Sequence, residues 1–152
     1  MTWSNMDRKL KIYLAGKMSG LSLKTMSDWR REIKNKIFIN STLSDYKTTV
    51  INPVDFYNFE EVKHQSEEEV MNFDLSHVVS SDIVIVNLDG LNTSIGTQIE
   101  IYEASYHHKI PVFAFGDKEL YDNLHPWTKI SITRVEDNME DLIDYIKEFY
   151  MF

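Results

Sequence analysis

The chain contains no cysteine. Disulfides, thiolate metal sites and a cysteine nucleophile are therefore excluded together, and the absence suits a reducing compartment, so a cytoplasmic location is expected. Proline occurs three times and glycine five times, and no linker, low-complexity tract or internal repeat is visible. No apolar run approaches the roughly 20 residues that cross a bilayer, and M-T-W-S-N-M-D-R-K at the start lacks the apolar core of a signal peptide. No membrane association is expected. Positive charge is the minority, 16 Lys and Arg against 24 Asp and Glu, a net −8. A protein that coats nucleic acid needs clustered Lys and Arg to meet phosphates, so polymeric nucleic acid is not an expected partner. A small neutral ligand, or one phosphate held locally, remains compatible with this charge. What is present is a 43% hydrophobic complement rich in aromatics. It predicts a packed core, and the length suits a single domain over residues 1–152.

Strand and helix signals alternate. Lys11–Ala15 reads as a first strand, and Lys24–Ile39 as a helix with Met26, Trp29, Ile33 and Ile37 near helical spacing, capped by Ser22 or Ser27. Thr49–Asn52 is a second strand stopped by Pro53. Asp55–Gln65 is irregular and aromatic-rich. Glu67–Val79 is a helix, Ile83–Leu88 a third strand, Ile95–His108 a helix and Pro111–Phe115 a fourth strand. Lys118–Leu124 is a short helix, Ser131–Arg134 a fifth strand and Met139–Phe149 a final amphipathic helix. Such alternation implies βαβ units, whose right-handed crossovers restrict the topology. The expected fold is an α/β three-layer sandwich, flavodoxin-like or Rossmann-like, on a mostly parallel sheet of about five strands.

The stretch from Asp82 to Ala104 carries the most chemistry. A buried strand runs into a polar turn, and a helix then bears Glu100 near its start. That layout places a carboxylate at the carboxyl edge of a sheet, where ligands bind in open α/β folds. Glu100 lies between Ile99 and Ile101 and either faces solvent or sits in a partly dry pocket. Glu103, one turn on, is the more solvent-facing of the two. Asp74, among Met71, Phe73, Leu75 and Val78, is structural or faces a pocket, and Asp82 caps the turn before its strand. Tyr13 lies within the first strand, where its hydroxyl needs a partner. Gly16-Lys17-Met18-Ser19 resembles the end of a phosphate loop. However, the pattern G-x-x-x-x-G-K-[ST] fails at Lys11 and at Met18, so a nucleoside triphosphatase is excluded. The loop is a plain strand-to-helix turn or a ligand loop whose glycines allow close backbone approach. Glu60, Glu61 and Glu67–Glu69 read as a solvated loop and first helical turn. The five histidines show no ligand spacing; His107 and His108 suit a helix C-terminus. No metal and no cofactor are expected.

In order, Tyr13 with L-A-G, M-N-F-D-L at Met71–Leu75, S-I-G-T-Q-I-E at Ser94–Glu100 and N-L-H-P-W at Asn123–Trp127 resemble the nucleoside 2-deoxyribosyltransferase family. The resemblance implies that Glu100 attacks the anomeric carbon to give a covalent deoxyribosyl-enzyme. It implies that Tyr13 orients that carboxylate and that Asp74 helps protonate the leaving base. Asn123 would reach the sugar 5′-hydroxyl from a neighbouring subunit, so a homo-oligomer is implied, with nucleoside and free base as partners. Gly16, Lys17, Ser19, Ser94 and Gly96 are the implied substrate-binding positions. The chain departs from the family's transferases at Ser94, where those usually carry aspartate. The related 5′-monophosphate N-glycosidases have serine there, and a hydroxyl tolerates a phosphate dianion that an aspartate repels. Those hydrolases also carry an arginine where Ser19 stands. Deoxyribosyl transfer is the leading expectation, monophosphate hydrolysis the second, and a non-catalytic nucleotide-binding module the third.

Overall fold

The structure, a computed structural model, describes residues 9–41, 47–57 and 61–151. The N-terminal stretch read for a leader, and Glu60 of the acidic run, lie outside those residues. Five strands, β1 (Lys9–Ala15), β2 (Lys47–Ile51), β3 (Ile83–Asn87), β4 (Val112–Phe115) and β5 (Arg134–Glu136), form one sheet in the order β2-β1-β3-β4-β5. Every pairing is parallel. The helices are α1 (Leu23–Ser41), α2 (Glu67–Val79), α3 (Ile95–Tyr102), α4 (Lys118–Asp122), α5 (Pro126–Ile130) and α6 (Met139–Tyr150). This is the three-layer, flavodoxin-like α/β sandwich that the alternating pattern predicts.

The two faces of the sheet follow from strand periodicity. Leu10, Ile12 and Leu14 of β1 pack with Ile33 and Ile37 of α1 and with Leu142, Ile143 and Ile146 of α6. Tyr13 and Ala15 point the other way, towards Val78 of α2 and Ile101 of α3. Strand β3, I-V-I-V-N, is buried throughout, because helices cover both faces of a parallel sheet and leave no side for polar alternation.

Helix starts are set by short polar side chains. Ser22 Oγ, not Ser27, accepts from Thr25 N–H at the start of α1, and Ser27 is buried within the helix. Ser66 Oγ accepts from Glu69 N–H, while Glu69 Oε2 accepts from Gln65 N–H, a capping-box arrangement that explains the acidic run as a helix start. Asn138 caps α6 by accepting from Asp141 N–H at 2.8 Å. Asp82, read as a turn cap, accepts from Lys11 N–H at 2.8 Å.

Two expectations need correction. The fifth strand is Arg134–Glu136, paired with Phe113–Phe115, and not Ser131–Arg134. Ser131 closes α5, with its N–H on Thr128 O and its Oγ on Trp127 O. Helix α5 has no counterpart among the elements expected from sequence; His125 Nδ1 accepts from Trp127 N–H, and Pro126 takes the first helical position, where no N–H is needed. The helix expected over Ile95–His108 also divides, with α3 passing into a π-helical turn over Glu103–His107.

Candidate active site

The strand order reverses direction between β1 and β3, since the chain runs outward to β2 and then crosses back. This is the switch point at which the carboxyl ends of parallel strands open a crevice. A pocket of about 1030 Å³ lies there. The loop after β1 supplies Gly16, Lys17 and Ser19, the segment after β2 supplies Phe56 and Tyr57, α2 supplies Asp74, and the start of α3 supplies Ser94, Gly96 and Glu100. Tyr13 stands behind this wall, within β1 and buried. Eight of the nine site residues expected from sequence are thereby brought together. Asn123 is not among the pocket residues; it is exposed at the C-terminal end of α4.

Glu100 is the centre of the arrangement. Tyr13 stands beside its carboxyl and favours the ionised form. One oxygen, Oε2, is buried and has no hydrogen-bond partner among the described residues. Burial drives the Glu100 carboxyl up to about 7; the Asp74 charge pushes the same way, while Tyr13 and the Arg30 charge oppose it. The Tyr13 phenol is held far above its ordinary range, first by burial and then by the charges of Glu100 and Asp74. It therefore remains a donor at any working pH.

Asp74 is held by a residue that the sequence reading passed over. Tyr57 OH donates to Asp74 Oδ1. Burial raises the Asp74 carboxyl, and the Tyr57 bond, the nearby histidines and Arg30 counter this. Tyr57 belongs to a ring cluster in which Phe56 stacks on His77 at 4.9 Å and Phe73 meets His77 edge-on at 4.9 Å. Tyr57 also meets His64 at 5.3 Å. The cluster gives the pocket an apolar, π-rich wall beside Asp74. Its only sequence signal was the aromatic density of 55–65.

The opposite side is polar. Ser94 Oγ and Thr97 Oγ1 share a hydrogen bond of 2.7 Å at the start of α3. Lys17 Nζ donates to Thr93 Oγ1 at 3.0 Å, tying the loop after β1 to the loop after β3. The second loop turns at Gly90, with φ of 73°, and a Cβ there would lie 2.7 Å from Lys17 Cδ. Gly16 is similarly confined: its Cβ would lie 2.6 Å from the Trp29 ring. Gly90 lets the two loops close on one another, and Gly16 lets the first loop pack against α1.

A second unanticipated residue is Arg30, which is fully buried. It donates to Met26 O at 2.6 Å and to Gly16 O at 2.9 Å, and its guanidinium lies 4.4 Å from the Trp29 ring centroid. A signal was available: positions 26, 30, 33 and 37 share one helical face, so Arg30 falls on the apolar stripe of α1.

Arranged in this way, the pocket presents a buried carboxyl beside Tyr13, a second carboxylate near an aromatic wall, and a cluster of hydroxyls with a lysine. It can stabilise positive charge developing at a carbon and then trap it. No protein-family model matches the chain, and no curated protein matches it. Among solved structures, a conserved protein from Enterococcus faecalis V583 superposes with TM-score 0.63 at 21% identity, over 92% of this chain and 98% of that one. The 2-deoxyribosyltransferase from Bacillus psychrosaccharolyticus superposes with TM-score 0.51 at 23% identity, over 89% and 91%. A CMP N-glycosidase from Clostridium botulinum reaches TM-score 0.48 at 13% identity, over 91% and 99%. The chain thus has the fold of the Enterococcus protein and of the Bacillus 2-deoxyribosyltransferase across nearly its whole length.

Proposed function

We propose that the chain is a member of the nucleoside 2-deoxyribosyltransferase family and moves the deoxyribosyl group of a 2′-deoxynucleoside to another nucleobase. The observation that carries this reading is the buried Glu100 carboxyl in the pocket wall, with Tyr13 beside it and Oε2 without a hydrogen-bond partner among the described residues. In the first half-reaction a carboxylate oxygen of Glu100 bonds to the anomeric carbon as the C–N bond breaks. The bonding pair leaves with the base, which takes a proton from Asp74. In the second, a nitrogen of the incoming base bonds to that carbon and gives its proton to Asp74, and the ester C–O bond breaks, which restores the carboxylate. A carboxylate nucleophile suits this bond because its cleavage builds oxocarbenium character. The fold shared with a 2-deoxyribosyltransferase supports the reading, as do the four ordered motifs.

A second reading, hydrolysis of nucleoside 5′-monophosphates, draws on a specific observation. The pocket carries Ser94, Thr97 and Lys17 where a phosphate could be met, and no acid at position 94. The third reading, a binding module without turnover, leaves the buried Glu100 carboxyl without a purpose. In the transfer reading, a neighbouring copy supplying Asn123 to the free 5′-hydroxyl gives that exposed residue a role.

The deciding experiment is chromatography of the protein with deoxynucleosides plus a second free base, and in parallel with deoxynucleoside monophosphates. Transfer predicts a new nucleoside carrying the added base, reduced at least about a thousandfold in E100A. Base release from monophosphates alone would replace the first reading with the second. Ligand binding without turnover, unchanged in E100A, would leave only the module.

A further inference from the structure

The mechanism proposed above assigns nothing to Arg30, yet it is the largest fully buried side chain. A guanidinium taken out of water is costly unless its charge is answered. Here it is not answered by a direct ion pair. Its acceptors are two neutral carbonyls, Met26 O and Gly16 O, and Nε has no partner among the described residues. The Trp29 face offsets part of the cost. The negative charges that act on it lie in the pocket: Glu100 and Asp74, with Tyr13 between.

Its position is as specific as its charge. Arg30 is on α1, which covers the face of the sheet opposite α2 and α3. The guanidinium reaches the end of β1, where Gly16 is the corner residue of the pocket wall. By bonding Gly16 O and Met26 O at once, it joins the strand end to the first turns of α1, and both bonded residues line the pocket. Tyr13, which stands beside Glu100, is three residues before that corner.

We infer that Arg30 is a positioning residue for Glu100: from behind β1 its guanidinium ties Gly16 O to Met26 O and fixes the corner of the pocket wall at the end of the strand that carries Tyr13. The inference deepens the proposed reading of this site and rests on it for its consequence in turnover. Its buried positive charge also favours the ionised forms of Glu100 and Asp74, against the burial that raises both. Burial lowers the arginine itself to about 10, so it stays charged across the range in which Glu100 titrates. The other groups facing this cluster are Tyr13 from β1, Tyr57 after β2, and His64 and His77, whose influence falls on Asp74. Tyr13 and Tyr57 are neutral donors. A lysine at position 30 would keep the charge as a compact ammonium but lose the planar fork that spans two carbonyls.

The test is a carboxyl ¹³C NMR titration of Glu100, assigned with E100Q, in wild type, R30K and R30Q. Removing the charge in R30Q is expected to raise the Glu100 midpoint by about one pH unit, with R30K lying closer to wild type. Where the enzyme turns over, the acid limb of its kcat/KM profile moves by the same amount. An unmoved midpoint in R30Q, or equal shifts in R30K and R30Q, would overturn the inference and leave Arg30 a packing residue. Should R30Q fail to fold, the wild-type Arg30 Nε–H resonance serves instead. It should follow the Glu100 titration and lose that inflection in E100Q; a pH-independent resonance, or one unchanged in E100Q, would overturn the inference. Neither readout needs catalysis, so an inactive wild type would defeat the proposed function while leaving this coupling to be judged separately.

Discussion

Glu100 links the chemistry of the pocket to the stability of the fold. Its carboxyl is raised from an ordinary 4.5 to about 7, with burial as the largest cause. Between those values the folded chain keeps a proton that the unfolded chain has released. Folding stability is therefore fully present below about 4.5 and is lost as pH rises through 7, by up to about 3 kcal/mol. The E100Q variant has no such titration. Urea unfolding should show it gaining on wild type between pH 4.5 and pH 8, by about 2–3 kcal/mol. An unchanged difference would mean that the carboxyl is not buried in a dry site. The cost to the resting fold is the same physical fact that makes an ionised Glu100 reactive. Residues of this kind are partly legible in sequence. Tyr13, Asp74 and Glu100 stood in recognisable strings, whereas Tyr57 and Arg30 did not. Tyr57 acts through a contact across the pocket, 17 positions before Asp74 in the chain. Arg30 looked like one more charge on a helix until the sheet placed Gly16 O within its reach.

At the scale of elements, alternation of β and α signals was enough to give a parallel sheet of about five strands between helical layers, because buried parallel strands are apolar runs and their crossovers have one hand. The errors lie where local and tertiary signals compete. Ser131–Arg134 has the composition of a short strand, but α5 claims Ser131, and the ladder starts only at Arg134. Thr133 bridges the gap, since its N–H reaches Val112 O and its Oγ1 accepts from Val112 N–H. Helix α5 carried a proline at its first position, a start signal that was present but outweighed by its short length. The π-helical turn after α3 had no signal in composition or spacing. The two loops that shape the site owe their closeness to Gly90, where no Cβ obstructs Lys17, and Gly16 lets the first loop lie against Trp29 of α1. That need cannot be read from a single glycine in a sequence.

For the whole molecule, no helix among the described residues is long and apolar enough to cross a membrane. The pocket mouth bears Ile95, which is 75% exposed, and Ile99, while Asn123 is exposed outside the pocket. Shared sites between copies would make sense of these features. On that account a mixture of E100A and N123A subunits, after exchange, should recover glycosyl-transfer activity that neither has alone; activity equal to the sum of the two would mean each copy works by itself. The central claim is that Glu100 becomes covalently attached to the sugar. Rapid quenching of wild type and E100Q with a 2′-deoxynucleoside, followed by intact-mass measurement and peptide mapping, tests it most directly. A deoxyribosyl adduct on the peptide holding Glu100, absent from E100Q, is the predicted result. Turnover persisting in E100Q, or an adduct mapped to another residue, would contradict it.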